Sequence, residues 1–252
     1  MNELLNNSFD FDSASMIKRS IYKQTTIRKE VDLNSSFYFM FDTKNMEKPC
    51  KHTLLHKYIE NLLSWAYAET FDNLCCDEII ELIKFELDIY EINYKKEFDT
   101  IDGEINYLKN KLEESYLVIA HHIFNILFVD RKFLLDFNTI VSNYVRSLKK
   151  HEYPNLLRKD GVIKRFTNLQ GTKWLLNALI FRDKSRCQIC GKDLSATREP
   201  QTGKIHIDHI IPLELGGTND PTNMQILCDS CNFNKSFTEI KTSSYYTYFW
   251  NL

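Results

Sequence analysis

Cys187-Gln-Ile-Cys190 and Cys228-Asp-Ser-Cys231 bracket the stretch Lys204-Ile-His-Ile-Asp-His-Ile-Ile-Pro-Leu-Glu-Leu-Gly-Gly-Thr-Asn219. Two residues between thiolates let a tight turn aim both sulfurs at one ion, and two such turns complete a tetrahedron. Gly191, directly after the first pair, suits the left-handed backbone that such knuckles use. The separation from Gly191 to Leu227 exceeds the ~15–20 residues of the common ribbon spacing, so an element is inserted between the knuckles. Cys187, Cys190, Cys228 and Cys231 are therefore read as a structural Zn2+ site with no coordination position left open. Paired disulfides are the weaker alternative in a reducing compartment. Cys50, Cys75 and Cys76 have no partner pattern and read as small hydrophobes or inert thiols.

The insert has its own order. Ile205, Ile207, Ile210 and Ile211 make a short strand that Pro212 ends. Gly216-Gly217 permits a sharp loop, and Asn223-Met-Gln-Ile-Leu227 reads as a second strand. Asn232-Phe-Asn-Lys-Ser236 begins a helix that continues towards Ile240. The expected order is strand, loop, strand, helix, with zinc fastening the helix start to the segment before the first strand.

Outside this stretch the chain changes character. Of 252 residues with net charge −2, residues 1–160 carry 21 Lys+Arg against 26 Asp+Glu, net −5. Residues 161–252 carry 11 against 8, net +3. One of the seven glycines, Gly103, lies in the first part, and scarce glycine marks long helices. Apolar spacing predicts helices over 52–70, after Asp77 as a cap, after Gly103, and over 132–150. Phe37-Tyr-Phe-Met-Phe41 reads as a strand or a short helix. The expectation is an α+β chain: a mostly helical part over 1–160, then a small zinc-stabilised domain over 161–252. No positive-then-apolar leader opens the sequence, and its most apolar stretch, Tyr116 to Val129, is shorter than the ~20 residues that span a bilayer. A cytoplasmic protein without a membrane partner is expected.

The bracketed stretch resembles the HNH endonuclease family. The matching residues are the first Cys-x2-Cys, Asp208-His209-Ile-Ile-Pro212, Gly216-Gly217, Asn223, and Cys228-x2-Cys231-Asn232-x2-Lys235. Leu179-Ile-Phe-Arg-Asp183 resembles the helical lead-in to the first knuckle, so the likeness covers about residues 170–240. It implies a ββα-metal core in which His209 is the general base and Asp208 a metal ligand. Asn232 would supply the second ligand, and Asn223 would brace the loop that orients the base. A hard oxygen set of this kind suits Mg2+ or Mn2+. Consecutive strand residues point to opposite faces, so Asp208 and His209 diverge, as in-line displacement at phosphorus asks. His206 and Lys235 are candidate phosphate contacts. Arg182, Lys184, Arg186, Arg198, Lys204 and Lys241 are further cations for a phosphate-facing surface, and the tail Tyr245-Tyr-Thr-Tyr-Phe-Trp250 either stacks on bases or packs back.

The leading expectation is a metal-dependent DNA endonuclease with a restriction or anti-phage role. Residues 1–160 would then control target choice, a protein partner or activation. One site cuts one strand, so double-strand breaks would need a homodimer or two successive nicks. Two alternatives differ in class. One is a non-catalytic zinc module that binds nucleic acid or protein. The other is a ribonuclease in the helical part through Arg146 and His151, an Arg-x4-His pair. The adjacent His121 and His122 point about 100° apart on a helix and are read as structural.

Overall fold

The structure, a computed structural model, describes residues 13–19, 21, 43–167, 172–195 and 205–243. Phe37–Phe41, Arg198, Lys204 and the aromatic tail lie outside the described residues. The chain divides into two compact units, Met1–Ile17 with Leu55–Ile126 and Lys18–Leu54 with Leu127–Leu252. The boundary expected near residue 160 thus falls inside the second unit. Helices α1 (Thr43–Glu47), α2 (Leu54–Phe71), α3 (Cys76–Ile89), α4 (Ile101–Phe128), α5 (Arg131–Ser147) and α6 (Lys173–Arg182) precede the short strands. Strand β1 (His206–His209), strand β2 (Met224–Leu227) and helix α7 (Asp229–Asn234) complete the order. Among the described residues the architecture is α+β, mostly helical with one small two-stranded sheet.

The first unit is built from α2 beyond Leu54, α3, and α4 as far as Ile126. Its core is the apolar stripe that the sequence spacing marks: Leu55, Tyr58, Ile59, Ile83, Leu87, Leu108, Leu112, Ile119 and Ile123 are all buried. Asp77 is not the cap of α3. Cys75 occupies that position and Asp77 lies in the first turn, while the Glu78 carboxylate accepts the Cys75 backbone N–H at 2.8 Å. Helix α4 starts before Gly103 because the Thr100 hydroxyl accepts the Gly103 N–H, which satisfies an exposed amide of its first turn. His121 and His122 diverge as expected. His121 stacks on His56, with 3.0 Å between Nδ1 and His56 Nε2, and His122 meets the Tyr90 ring edge-on.

In the second unit β1 and β2 pair antiparallel, His206 opposite Leu227 and His209 opposite Met224. Leu175, Leu179 and Ile180 of α6 pack on Met224, Ile226 and Leu227 of β2, together with Cys187, Leu194 and Cys228. Asp183, just after α6, accepts the Ile226 N–H at 3.0 Å and grips Arg182 at 2.7 Å. The lead-in helix is thereby locked to the sheet edge.

The loop from Ile210 to Asn223 is the polar centre of this unit. Gly216 has φ 87°, and a Cβ there would lie 2.6 Å from the Ser142 carbonyl of α5. At Gly217 a Cβ would lie 1.9 Å from the Ile211 carbonyl, so both glycines are required by close approach. Helix α5, capped by Asp130, bonds the same loop: Asn138 Nδ2 donates to the Thr222 carbonyl at 3.0 Å. Its first residue, Arg131, donates to Gln188 inside the first knuckle. Asp220 accepts the Leu54 N–H at the start of α2 and both donors of Thr222. Complete burial nevertheless pushes its carboxyl up to about 6.

Residues well before position 161 therefore satisfy buried polar groups of the small domain. Each such group left bare costs about 1–3 kcal/mol. A fragment 161–252, lacking Leu54, Arg131 and Asn138, is expected to show no cooperative thermal transition by circular dichroism. A cooperative melt near that of the full chain would contradict this.

Candidate functional site

The zinc-type cluster is built by two turns. Gly191 N–H closes the first onto the Cys187 carbonyl at 2.9 Å with φ 73°, and Cys228 is the N-cap of α7. The sulfur atoms of Cys187, Cys190, Cys228 and Cys231 all lie within 4.8 Å of one another. The Cys190–Cys228 separation is 3.8 Å. That equals the edge of a tetrahedron with ~2.3 Å metal–sulfur bonds, and it is far from the ~2.05 Å of a disulfide. Burial pushes the Cys187 thiol up, but the backbone N–H groups of Cys190, Cys228 and Ile189 bring it down to about 7. The donor set fits Zn2+.

Strand β1 sets the remaining geometry. Asp208 faces Gln225 across the ladder, and its Oδ2 accepts from Gln225 Nε2 at 2.8 Å and from Lys235 Nζ at 2.5 Å. Lys235 Nζ also donates to the His209 carbonyl at 2.5 Å, and its side chain is only 3 % exposed. Lys235 therefore holds Asp208 in place and is already paired. His209, one residue on, is 8 % exposed, with its Nε2 3.2 Å from Asn219 Oδ1. Burial pushes the imidazole down to about 4, the Arg165 guanidinium adding to the effect. It is consequently neutral at pH 7, with a value below the ordinary ~6.5.

Asn223 grips the loop between the strands. Its Oδ1 accepts the Ile211 N–H at 2.9 Å, and its Nδ2 donates to the Ile211 and Thr218 carbonyls at 3.0 Å each. The backbone carbonyl of the same residue accepts the Ile210 N–H at 2.7 Å, next to His209.

Asp208, His209, Asn232, Lys235 and Arg165 share a cleft of about 550 Å³ with Phe233 and Phe237. Asn232 lies on α7, which begins inside the second knuckle at Asp229 and ends at Asn234, earlier at both ends than the sequence suggested. The Cys228 cap starts it, and the extended backbone of Lys235 (ψ 122°) stops it. A carboxylate and an amide on the wall of one polar cleft are oxygen donors of the kind Mg2+ or Mn2+ takes.

The other candidate cations are dispersed. His206 bonds Asp229 at 2.5 Å. Arg182 does not face solvent: it is buried against Asp183, the Met224 carbonyl and the Phe128 ring. The apolar lead-in helix buries it, and Asp183 neutralises it there. Arg186 bonds the Gly191 carbonyl, and Lys241 pairs with Glu239. Arg146 and His151 do not share a helix, because α5 ends at Ser147. Arg146 donates to Asn143, while His151 faces Glu152 at 3.5 Å.

Three participants escaped the sequence reading: Asn219, Arg165 and Gln225. Gln225 follows from register, since it sits opposite Asp208. Asn219 stands beside the Gly-Gly pair, but nothing in its spacing aims it at His209. Arg165 carries no local signal at all.

Residues 187–238 match the HNH endonuclease family model. No curated protein and no solved structure matches the chain. The matched segment holds the four-cysteine cluster, and Arg165 lies outside it.

Proposed function

We propose that the second unit hydrolyses DNA phosphodiester bonds with the help of a divalent cation. The observation that carries this reading is a buried His209 in the same cleft as Asp208, Asn232 and Arg165. A neutral imidazole in a sheltered position can take a proton from an attacking water. Asp208 and Asn232 would hold Mg2+ or Mn2+, which supplies charge relief at the phosphate and the leaving oxygen. Lys235 and Gln225 fix the Asp208 carboxylate, so it need not reorganise on binding. Arg165 brings a positive charge to the same cleft, suited to a non-bridging phosphate oxygen. Phe233, 88 % exposed, and Phe237 offer apolar faces where nucleobases would lie.

The test is supercoiled plasmid incubated with purified protein and Mg2+ or Mn2+. Nicked circles with 5′-phosphate and 3′-hydroxyl ends, suppressed by a chelator, are the expected products. Nicked circles should precede linear DNA, because one such site cuts one strand. Direct linearisation would indicate two copies acting together. Plasmid that is retarded on a gel but left intact across metals would favour the non-catalytic zinc module.

A further inference from the structure

Asn219 is fully buried, and every polar atom of its side chain is engaged. Its Nδ2 donates to the Glu47 carbonyl at 2.9 Å and to the Lys164 carbonyl at 2.8 Å. Its Oδ1 accepts the Phe166 N–H at 3.3 Å and lies 3.2 Å from His209 Nε2. The backbone N–H of the same residue reaches the Met46 carbonyl at 3.0 Å. Rotating the amide by half a turn would set its oxygen against two carbonyl oxygens and its NH2 against a backbone donor. The surroundings thus decide which atom faces the imidazole. That atom is an oxygen, and an oxygen without a proton can only accept.

We propose that Asn219 is a positioning residue that orients His209 by accepting its Nε2–H, leaving the Nδ1 lone pair as its proton-accepting atom. The inference rests on the nuclease reading only for the use made of Nδ1; the tautomer itself follows from the bonds. The restraint comes from outside the segment that matches the nuclease family. Met46 and Glu47 belong to α1, Lys164 and Phe166 to an irregular segment between α5 and α6, and none lies in residues 187–238. Part of the chain with no resemblance to a nuclease therefore sets which nitrogen acts.

The experiment is ¹⁵N-histidine NMR of the full-length protein at pH 7.5, with His209→Gln identifying the His209 signals. A protonated Nε2 and an unprotonated Nδ1 in a single tautomer are expected. A protonated Nδ1, or two tautomers in fast exchange, would overturn the proposal. This spectrum reads the wild-type protein and needs no turnover, so an inactive protein with the expected tautomer defeats the nuclease reading while supporting the positioning. In Asn219→Ala, confirmed folded by its metal content and circular dichroism, the tautomers should mix. Plasmid nicking should then fall roughly 10–100-fold, the usual effect of losing a partner that orients a catalytic ligand or base. A folded Asn219→Ala protein that keeps the single tautomer and the wild-type rate would also sink the idea. Should that variant fail to fold, the wild-type spectrum alone decides.

Discussion

His209→Ala is expected to lower the plasmid-nicking rate by roughly 10²–10⁴-fold, the range that general-base catalysis supplies, equivalent to about 3–5 kcal/mol of barrier. The variant is a clean one because its neighbours stay satisfied. Asn219 Oδ1 keeps the Phe166 N–H, Asn223 keeps its three bonds to the loop, and the His209 carbonyl still accepts Lys235. Loss of rate should therefore occur without loss of bound zinc, which can be checked by metal analysis of the same sample. Asp208→Asn would be harder to interpret. It removes the partner of an almost fully buried ammonium, and an unpaired buried charge is itself strongly destabilising. A His209→Ala protein that nicks at the wild-type rate would remove the imidazole from the reaction and leave the proposed chemistry without a base.

The largest expected effect on stability is at the cysteines. Purified protein should carry one zinc per chain, and Cys228→Ser should abolish retention of the metal and the cooperative melting of the second unit. Structural zinc sites of this kind contribute roughly 10–16 kcal/mol of apparent binding energy at neutral pH, more than the ~5–15 kcal/mol by which a typical domain is stable. Cys228 is also the cap of α7 and part of the core beneath β2, so its loss acts on three contacts together. Cys76→Ser is the matched control. Cys76 is exposed at the start of α3 and lies outside the sulfur cluster, so this substitution should leave zinc content and melting unchanged. Zinc retention in Cys228→Ser with an unaltered melt would show that the sulfurs are not a structural site.

Legibility in the sequence tracked the range of the interaction. The helices over 54–71, 101–128 and 131–147 came close to their apolar spacing because burying a stripe at period 3.6 is a property of neighbouring residues. Their ends were less legible. Cap bonds such as Glu78 to Cys75 depend on which side chain wins a local contest, and Asp77 lost it. The two strands and the loop glycines were legible for the same local reason, and so was the pairing of the Cys-x2-Cys knuckles. Arg182 was misread because its charge suggested solvent, whereas Asp183 and Phe128 give it a buried partner set.

By itself, the sequence determined the α+β composition, the cluster of four sulfurs, and the order of strand, loop, strand and helix. Each of these follows from spacing along the chain and the stereochemistry of a few adjacent residues. Only the tertiary structure decided which nitrogen of His209 is available, what holds the Asp208 carboxylate, and where Arg165 sits. It also decided that the polar loop of the small domain is satisfied from Met46, Glu47, Leu54 and Asn138. Hydrogen bonds between residues far apart in the chain leave no period in the sequence, because a buried donor requires an acceptor near it in space and is indifferent to where that acceptor stands in the chain.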